Sequence, residues 1–432
     1  MTDIYEIAEY TLEALKKSGA DAAQCIVSKS KKDELNVDGG KFSLMRSTFN
    51  TSISMKAIKD GKKGVTSINQ ATKEAIDEAA DQCISAAQSS VPDEAEQIAP
   101  FTAKAEYNTG VFEPELDKLF DRIEEFMSQT AAEYPKIILE QLISDYEHSE
   151  KLYMNTNGTS LKYEHGEYSF NTMFSAHEGE KASSFNGYFC ALDSLDKPFM
   201  DAGMQRQLLA ESEKQLDTVS PSEKFVGRVI YSPDCFNELL QTALENFASS
   251  GVLIDGTSPW KDALNTKVAS EKLNLRSVPL DGRTVVGQRF TSDGYPVEDM
   301  DIIIDGVLKT FILSQYGANK TGFPRSLNSG NNLEVLPGDK ALEEMISGID
   351  RGLIVNRFSG GQPSSNGDFS GVAKNSFLIE NGKVVSAVSE TMISGNIIDM
   401  LNNIVAVSKE QTTDGLSFMP WAEFDGVTVS GK

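Results

Sequence analysis

The sequence predicts an α+β protein, and three observations support this fold class. Amphipathic segments with helical spacing alternate with long stretches of strand-like sequence. Asp-Gly and Asn-Gly dipeptides separate several of the strand-like segments, as is typical of two-residue β-hairpins. The chain has 432 residues, 40% of them hydrophobic, which is enough for two or three domains with their own cores. We predict an N-terminal domain at 1–100, a middle domain at 101–220 and a C-terminal domain at 221–432.

The N-terminal segment is predicted to form a helix, a hairpin and a second helix. Apolar residues recur at helical spacing in residues 4–15, and again in residues 72–87. Between them, alternating sequence in residues 51–68 is interrupted by Asp60 and Gly61, a pair that favours a type I′ turn. This arrangement predicts an α+β domain of helices and a hairpin.

The middle segment is predicted to contain a helix followed by an antiparallel sheet. The helix occupies residues 115–132, and the strands that follow turn at Asn157 and Gly158. Aromatic residues are concentrated in these strands at strand spacing, which favours a sheet core over a ligand-stacking surface. A further helix is expected at residues 204–217, before a boundary at residues 220–222.

The C-terminal segment is predicted to be β-rich. A strand at residues 225–231 precedes a helix at 234–247, in which apolar residues have helical spacing. Two hairpins follow, one running through 300–313 with its turn at Asp305-Gly306, the other through 377–385 with its turn at Asn381-Gly382. No GxGxxG or GxxxxGK[ST] motif occurs in the context that nucleotide binding requires.

Composition restricts the expected partners and location. A net charge of −24 would repel a nucleic-acid backbone, so no nucleic-acid partner is expected. The N-terminus lacks the features of a signal peptide, and no apolar run is long enough to span a membrane. We therefore expect a cytoplasmic protein that does not bind membranes. Cys25, Cys83, Cys190 and Cys235 have no CxxC spacing, and we interpret them as structural, with Cys235 the one to test as a nucleophile.

The segment from Asn356 to Leu401 carries the most specific motifs. These are Gly360-Gly361-Gln362, a run from Asn366 to Ser370, Ile379 to Gly382, and Gly395-Asn396 at the start of a helix. In these motifs the segment resembles the C-terminal core of the TldD/PmbA family. Family members, which have been called modulators of DNA gyrase, pair as a zinc-bearing TldD-type peptidase subunit and a metal-free PmbA-type (TldE) subunit.

Which of the two subunits the chain resembles depends on one helix. In the zinc subunit this helix carries HExxxH, whose histidines hold Zn²⁺ while the glutamate activates a water. Here the motif positions fall on Gln241, Thr242 and Asn246, whose amides and hydroxyl compete poorly for zinc. A Cys ligand near the C-terminus of the zinc subunit has no counterpart in residues 412–416. The resemblance therefore implies the PmbA-type subunit, with no catalytic residue, metal ligand or cofactor of its own.

The histidines give no alternative zinc site. The chain has three His, and none lies at HExxH or HExxxH spacing from another. The single His-Glu pair, His177 and Glu178, lies in strand-like sequence, so we interpret His177 as a solvated strand or turn residue.

The resemblance implies a function in peptide hydrolysis with a partner. A zinc-bearing TldD-like subunit, or a second copy of this chain, would complete a cavity that holds unfolded peptides in extended form. The candidate peptide-facing residues are Gly360, Gly361, Asp368, Phe369 and Ser370, although these residues could instead simply build tight turns.

Two other functions remain open. One is a hydrolase without metal, for which Asp293, Glu298, Asp299 and Asp301 or residues 389–391 would supply the reacting groups, although no Ser lies in a GxSxG motif. The other is a stand-alone peptide-binding scaffold, acting as a homodimer. Co-purification with a zinc-bearing relative would distinguish the paired subunit from both.

Overall fold

The computed structural model describes residues 1–431, which form two β-sheets with helices against them. Within these residues no helix is long and apolar enough to cross a membrane. The helices are α1 (Ile4–Lys17), α2 (Lys73–Ser89), α3 (Leu116–Glu133), α4 (Gln205–Lys214), α5 (Pro233–Phe247), α6 (Ser250–Ile254), α7 (Gln315–Thr321), α8 (Leu342–Ser347) and α9 (Ile397–Asn402). The predicted α+β class is confirmed.

The first sheet combines strands from residues 1–100 and from residues 101–220. Its strand order is 3-2-1-5-6-4, with β7 and β8 also paired to β6. The central pair, β1 and β5, is antiparallel from Gln24 opposite Asn155 to Asp38 opposite Gln141. The strands are β1 (Ala22–Asp38), β2 (Lys41–Lys59), β3 (Lys62–Ile68), β4 (Lys104–Gly110), β5 (Ile137–Asn155), β6 (Ser160–Glu178), β7 (Lys181–Ala182) and β8 (Asn186–Leu192). The predicted division at residue 100 thus separates segments that share a sheet.

The two faces of this sheet differ in polarity. Successive residues of a strand point to opposite faces. In β1, Cys25 and Val27 lie on the face where α1 and α2 pack, and both are fully buried. The alternate residues Ser28 and Ser30 lie on the other face and remain partly exposed. At one end this second face meets the C-terminal segment, where the Gln24 side-chain amide donates a hydrogen bond to the Ser292 carbonyl.

The second sheet is built around one long C-terminal strand, β22, which pairs with β10, β14, β20 and β21. The strands are β9 (Thr218–Val219), β10 (Phe225–Tyr231), β11 (Leu275–Ser277), β12 (Met300–Ile304), β13 (Val307–Leu308), β14 (Leu333–Val335), β15 (Arg351–Val355), β16 (Arg357–Gly360), β17 (Asp368–Lys374), β18 (Ser376–Glu380), β19 (Lys383–Val388), β20 (Met392–Asn396), β21 (Ile404–Thr413) and β22 (Phe418–Ser430). Helix α5 packs on this sheet, within the largest apolar core of the C-terminal segment.

The predicted hairpin turns are confirmed. Asp60 and Gly61 have φ of 51° and 70°, as a type I′ turn requires, and β2 and β3 pair on either side of them. The same conformation occurs at Asp305-Gly306 and Asn381-Gly382. The hairpin expected through residue 313 is shorter than predicted, because β13 ends at Leu308 and the chain then turns to pair Ile312 with Ala248.

Close packing of a helix on the first sheet depends on a glycine. A Cβ added at Gly64 would overlap the carbonyl of Cys83 on α2. We therefore expect Gly64→Ala to lower the free energy of unfolding by about 1–3 kcal/mol, since backbone must move to relieve the overlap. Thermal or denaturant unfolding measures the effect. Gly251→Ala is the control, because a Cβ there meets nothing within 4 Å and its φ is not left-handed. Equal midpoints for the two variants would contradict the packing argument.

Candidate functional site

Helix α5 is fixed at its start by local sequence. Ser232 caps it by accepting a hydrogen bond from the Cys235 amide, and Pro233 occupies the first turn, where its missing N–H costs nothing. Its apolar stripe, which includes Phe236 and Phe247, is buried against the second sheet. The opposite stripe of α5 is polar and faces solvent-accessible space.

Two cavities lie on either side of this polar stripe. Asn237, Gln241 and Glu245 face a cavity of about 720 Å³. Glu238 and Thr242 face a cavity of about 250 Å³. We call these the wide cavity and the narrow cavity.

The wide cavity brings α5 next to the turn that precedes β22. Its other walls come from loops around residues 286–288 and 329–333, and from the turn at residues 414–417. In that turn the Asp414 carboxylate accepts hydrogen bonds from the amides of Leu416 and Ser417, at 2.8 and 2.7 Å. Gln241 and the segment 412–416 correspond to parts of one metal site in the zinc subunit. In this chain residues of both line the same cavity.

The narrow cavity contains three of the five predicted peptide-facing residues. Gly360, Gly361 and Phe369 line it, together with Phe358, Cys235 and other residues of the same loops. Asp368 and Ser370 are not part of its lining. The sequence did not lead us to Phe358 or Glu238, although an aromatic residue two positions before the Gly360-Gly361 pair was a usable signal.

Asp368 has a structural role. Its carboxylate accepts hydrogen bonds from the side-chain amides of Asn396 and Asn366, both at 2.9 Å. These hydrogen bonds lower the pKa of Asp368. Asn396 in turn caps α9, so Asp368 connects the loop before β17 to the start of that helix.

Strand β16 presents backbone groups to the narrow cavity. It pairs with β17 on one side, with Phe358 opposite Ala373 and Gly360 opposite Gly371. The Ala373 amide donates to the carbonyl of Thr391, away from β16. In an antiparallel ladder this makes Phe358–Ala373 a non-hydrogen-bonded pair. The N–H and C=O groups of Phe358 and Gly360 therefore point away from β17.

Two adjacent glycines of this loop differ in their surroundings. A Cβ at Gly360 would lie 2.5 Å from the ring of Phe358, which covers that position. A Cβ at Gly361 would meet nothing within 4 Å, and Gly361 does not have a left-handed φ. Gly361 is thus open to the cavity, whereas Gly360 is required by packing.

Comparison with known proteins identifies the relationship. Residues 224–431 match the PmbA/TldA metallopeptidase C-terminal domain, and residues 23–87 match the PmbA/TldA metallopeptidase domain 1. The chain belongs to the PmbA/TldD family. Its polar helix and its glycine-rich edge strand are both parts of the matched C-terminal domain.

The most similar relatives include proteins named PmbA and proteins named TldD homolog. The chain is 32% identical over 155 residues to the metalloprotease PmbA of Escherichia coli O157:H7, covering 35% of this chain and 34% of that protein. It is 28% identical over 220 residues to the zinc metalloprotease TldD homolog of Saccharolobus solfataricus, covering 47% of this chain and 49% of that one. The chain therefore spans a third to a half of these curated relatives.

The fold matches a solved structure over nearly the whole chain. TldE from Thermococcus kodakarensis superposes with a TM-score of 0.82 and 22% identity, covering 98% of this chain and 100% of that chain. At this identity the match shows the fold.

The family is named for metallopeptidases, so zinc must be tested against the residues present. Gln241 is exposed, and its side-chain amide lies 3.4 Å from the Asn237 side-chain oxygen. The Asn246 amide donates to the Thr242 carbonyl at 2.9 Å. Gln241 and Thr242 also face different cavities. Neutral amides and a hydroxyl in this arrangement do not fit Zn²⁺.

Electrostatics at the start of α5 make Cys235 a poor nucleophile. Burial, together with the carboxylates of Glu238 and Asp234, raises the pKa of the Cys235 thiol. The thiol is therefore protonated at neutral pH, and a thiol is far less reactive than a thiolate. Asp234 lies nearby, and burial and the Asp414 carboxylate raise its pKa to about 6.

Three of the four carboxylates of the alternative hydrolase serve as hydrogen-bond acceptors in the loops. Asp293 accepts from the Gln315 amide, Asp299 accepts from the Leu280 amide, and Asp301 pairs with Arg276. In residues 389–391, the Ser389 hydroxyl accepts from Thr218 and the Thr391 hydroxyl donates to the Ser389 carbonyl. Each of these contacts holds a loop or strand in place, so it explains the residue without a catalytic role.

His177 lies near the end of β6, as a solvated strand residue. Its side chain is 40% exposed, and Nε2 lies 2.9 Å from the Ser175 hydroxyl. Among residues 1–431 no group of three or more His, Cys, Asp or Glu side chains is arranged to hold a metal.

The donor set of α5 leads to a prediction about metal content. After purification and dialysis without chelator, we expect far less than one equivalent of zinc per chain, because Gln241, Thr242 and Asn246 replace imidazole and carboxylate. Elemental analysis measures this. The double variant Gln241→His with Asn246→His supplies two imidazoles for comparison. Stoichiometric zinc in the unmodified chain, retained after dialysis, would contradict the prediction and return His177 to consideration.

Proposed function

We propose that this chain is the metal-free, PmbA-type subunit of a peptidase, and that it holds unfolded peptides for cleavage by a zinc-bearing TldD-type partner. The observation that carries the proposal is the outward edge of β16, which lies beside the helix where the zinc subunit would carry its metal motif. In this account the chain supplies a binding surface and the partner supplies the activated water.

The edge of β16 suits an extended peptide. Gly360 directs one N–H and one C=O away from β17. Phe358, two residues before it, directs its C=O the same way, while its N–H donates to the Cys235 sulfur. A peptide strand placed beside them forms hydrogen bonds through its own main chain, which gives affinity without a preference for sequence. Gly361 leaves room for the peptide backbone to approach closely.

The polar stripe of α5 forms the floor beneath such a peptide. Glu238 and Thr242 lie at the edge of the narrow cavity, and Gln241 and Glu245 lie toward the wide cavity. The roughly 720 Å³ of the wide cavity is in the size range of small-ligand pockets, so it can receive side chains of several sizes. Unfolded chains, whose amides are free, would bind this surface, whereas folded proteins would not.

Cleavage by the chain alone is not expected, because each group needed for hydrolysis is missing or already engaged. The α5 positions carry amides and a hydroxyl, and the Cys235 thiol stays protonated. A partner with an HExxxH helix would provide two imidazole ligands and a general base. The alternative function, a homodimeric scaffold, differs from this proposal in one respect. It would bind peptides but would not gain activity from a partner.

The proposal predicts activity that depends on a partner. Alone, the chain should leave an unfolded peptide intact over hours, whereas mixing it with a zinc-bearing TldD-type relative from the same source should give cleavage that EDTA abolishes. The measurement is peptide cleavage followed by mass spectrometry, with the relative alone as control.

Each other outcome has a defined meaning. Cleavage by the isolated chain that coelutes with the protein and persists in EDTA would overturn the proposal in favour of a metal-free hydrolase. Peptide binding without activity, and without association with the relative, would favour the homodimeric scaffold.

A second prediction concerns Gly361. Gly361→Val should reduce peptide cleavage by the assembled pair several-fold, because the branched side chain would block approach to β16. The thermal midpoint should change little, since a Cβ there meets no other group and the backbone is not left-handed. Activity and thermal midpoint are measured in the same preparation.

The matched control for Gly361→Val is Gly282→Val. Gly282 is equally open to solvent, has no left-handed φ and lies outside both cavities. It should retain both activity and midpoint. If Gly361→Val keeps full activity in an intact pair, or loses stability and activity together, the loop is structural and does not bind the peptide.

A further inference from the structure

A third cavity lies on the polar face of the first sheet. It measures about 400 Å³, with residues of β1, β2, β5 and β6 as its floor and the loop at residues 288–290 as its roof. Hydroxyl groups dominate the floor. They belong to Ser28, Ser30, Ser52 and Ser149, with the amide of Asn50 beside them.

Lys151 is part of this floor. It is on β5, opposite Ser28 on one neighbouring strand and Tyr163 on the other. Its ammonium lies 5.7 Å from the ring centroid of Phe290 in the roof. Burial lowers the pKa of Lys151, and no carboxylate acts on it in the opposite direction.

The carboxylates around this cavity already have partners, and strand alternation places the side chains of Lys29 and Glu150 on the opposite face of the sheet from Lys151. Glu147 pairs with Lys32 at 3.0 Å, and Glu150 pairs with Lys162 at 2.9 Å. The ammonium of Lys29 donates to the Thr2 carbonyl at 2.7 Å.

Arg289, in the roof, is held by neutral groups and has no carboxylate partner within residues 1–431. Its guanidinium donates to the carbonyls of Pro279 and Gln288. Across residues 1–431, the structure provides no hydrogen-bond acceptor or ion-pair partner for Lys151. A half-buried ammonium without an anion is costly in the free protein and favours a ligand that supplies one.

We propose that Lys151 binds the C-terminal carboxylate of the peptide, with the surrounding serine hydroxyls as additional donors. This assignment rests on the proposed function. The cavity adjoins the wide cavity, because Gln288 lines both. The C-terminal carboxylate is an anion that every unmodified peptide carries, so it suits a surface that otherwise binds only the main chain.

The assignment can be tested with three forms of one peptide. A flexible, N-terminally dansylated decapeptide of Gly, Ser and Ala is prepared with a free C-terminus, as the C-terminal amide, and as the amide with one internal Glu. Affinities are measured by fluorescence on the full chain. The free acid should bind about fivefold more tightly than either amide, as expected for one charge-assisted contact.

Two lysine variants separate binding from folding. Lys151→Met should remove the preference for the free acid and leave the amides unaffected, while its thermal midpoint stays the same or rises. Lys29→Met, on the neighbouring strand, should keep the preference, because the Lys29 ammonium lies on the opposite face of the sheet and donates to the Thr2 carbonyl.

The outcomes distinguish this inference from the proposed function. If all three peptides bind the unmodified chain equally, or if Lys151→Met still prefers the free acid, the role of Lys151 is overturned and the proposed function stands. If the internal Glu restores tight binding, Lys151 binds acidic side chains and the C-terminal assignment is wrong. If no peptide binds, the proposed function fails and this inference fails with it.

Discussion

The packing of α5 on the second sheet is the contact on which the rest of the candidate site depends. Phe236 of α5 meets Phe424 of β22 with ring centroids 5.8 Å apart, and both are fully buried. Because this apolar stripe fixes the rotation of the helix, the polar stripe must face outward, between the wide and narrow cavities. The side chains at positions 241 and 242 therefore face the cavities, whether they are metal ligands or, as here, Gln241 and Thr242.

This constraint explains how one framework could serve both subunit types of the family. The apolar half of α5 specifies the fold, and the polar half specifies the chemistry, so exchange of a few exposed residues leaves the packing intact. The edge of β16 depends on the same framework, because β15, just before it, pairs in parallel with β10, the strand that leads into α5. Loss of the metal ligands would thus leave the surface that we propose for peptide binding undisturbed.

Much of the fold could be predicted from the sequence, and the site only in part. Helical spacing and Asp-Gly turns predict α1, α2, α5 and the hairpins, because these depend on local periodicity and backbone conformation. Sequence did not predict that β1 and β2 continue through residues 28–50, since neither alternation nor apolar content is strong there. The pairing of β1 with β5 could not be predicted from the sequence either, because it joins residues more than a hundred positions apart.

The candidate site, too, could be predicted from the sequence only in part. Motif comparison placed Gln241, Thr242 and Asn246 on a helix and Gly360 and Gly361 in one loop, but Lys151 carries no motif at all. Its environment arises from strands and a roof that meet only in the folded chain. The direction of the β16 backbone also required the structure, because it follows from the pairing of Ala373 with Thr391.

Residue-resolved hydrogen exchange tests the central claim most directly, with and without a saturating unfolded peptide. The account predicts that the outward amide of Gly360 exchanges more slowly when peptide is bound, whereas the inward amide of Ser359, which already faces β17, is unchanged. A bound peptide that leaves the exchange of Gly360 unaltered would contradict the account, because the peptide would then lie elsewhere on the protein.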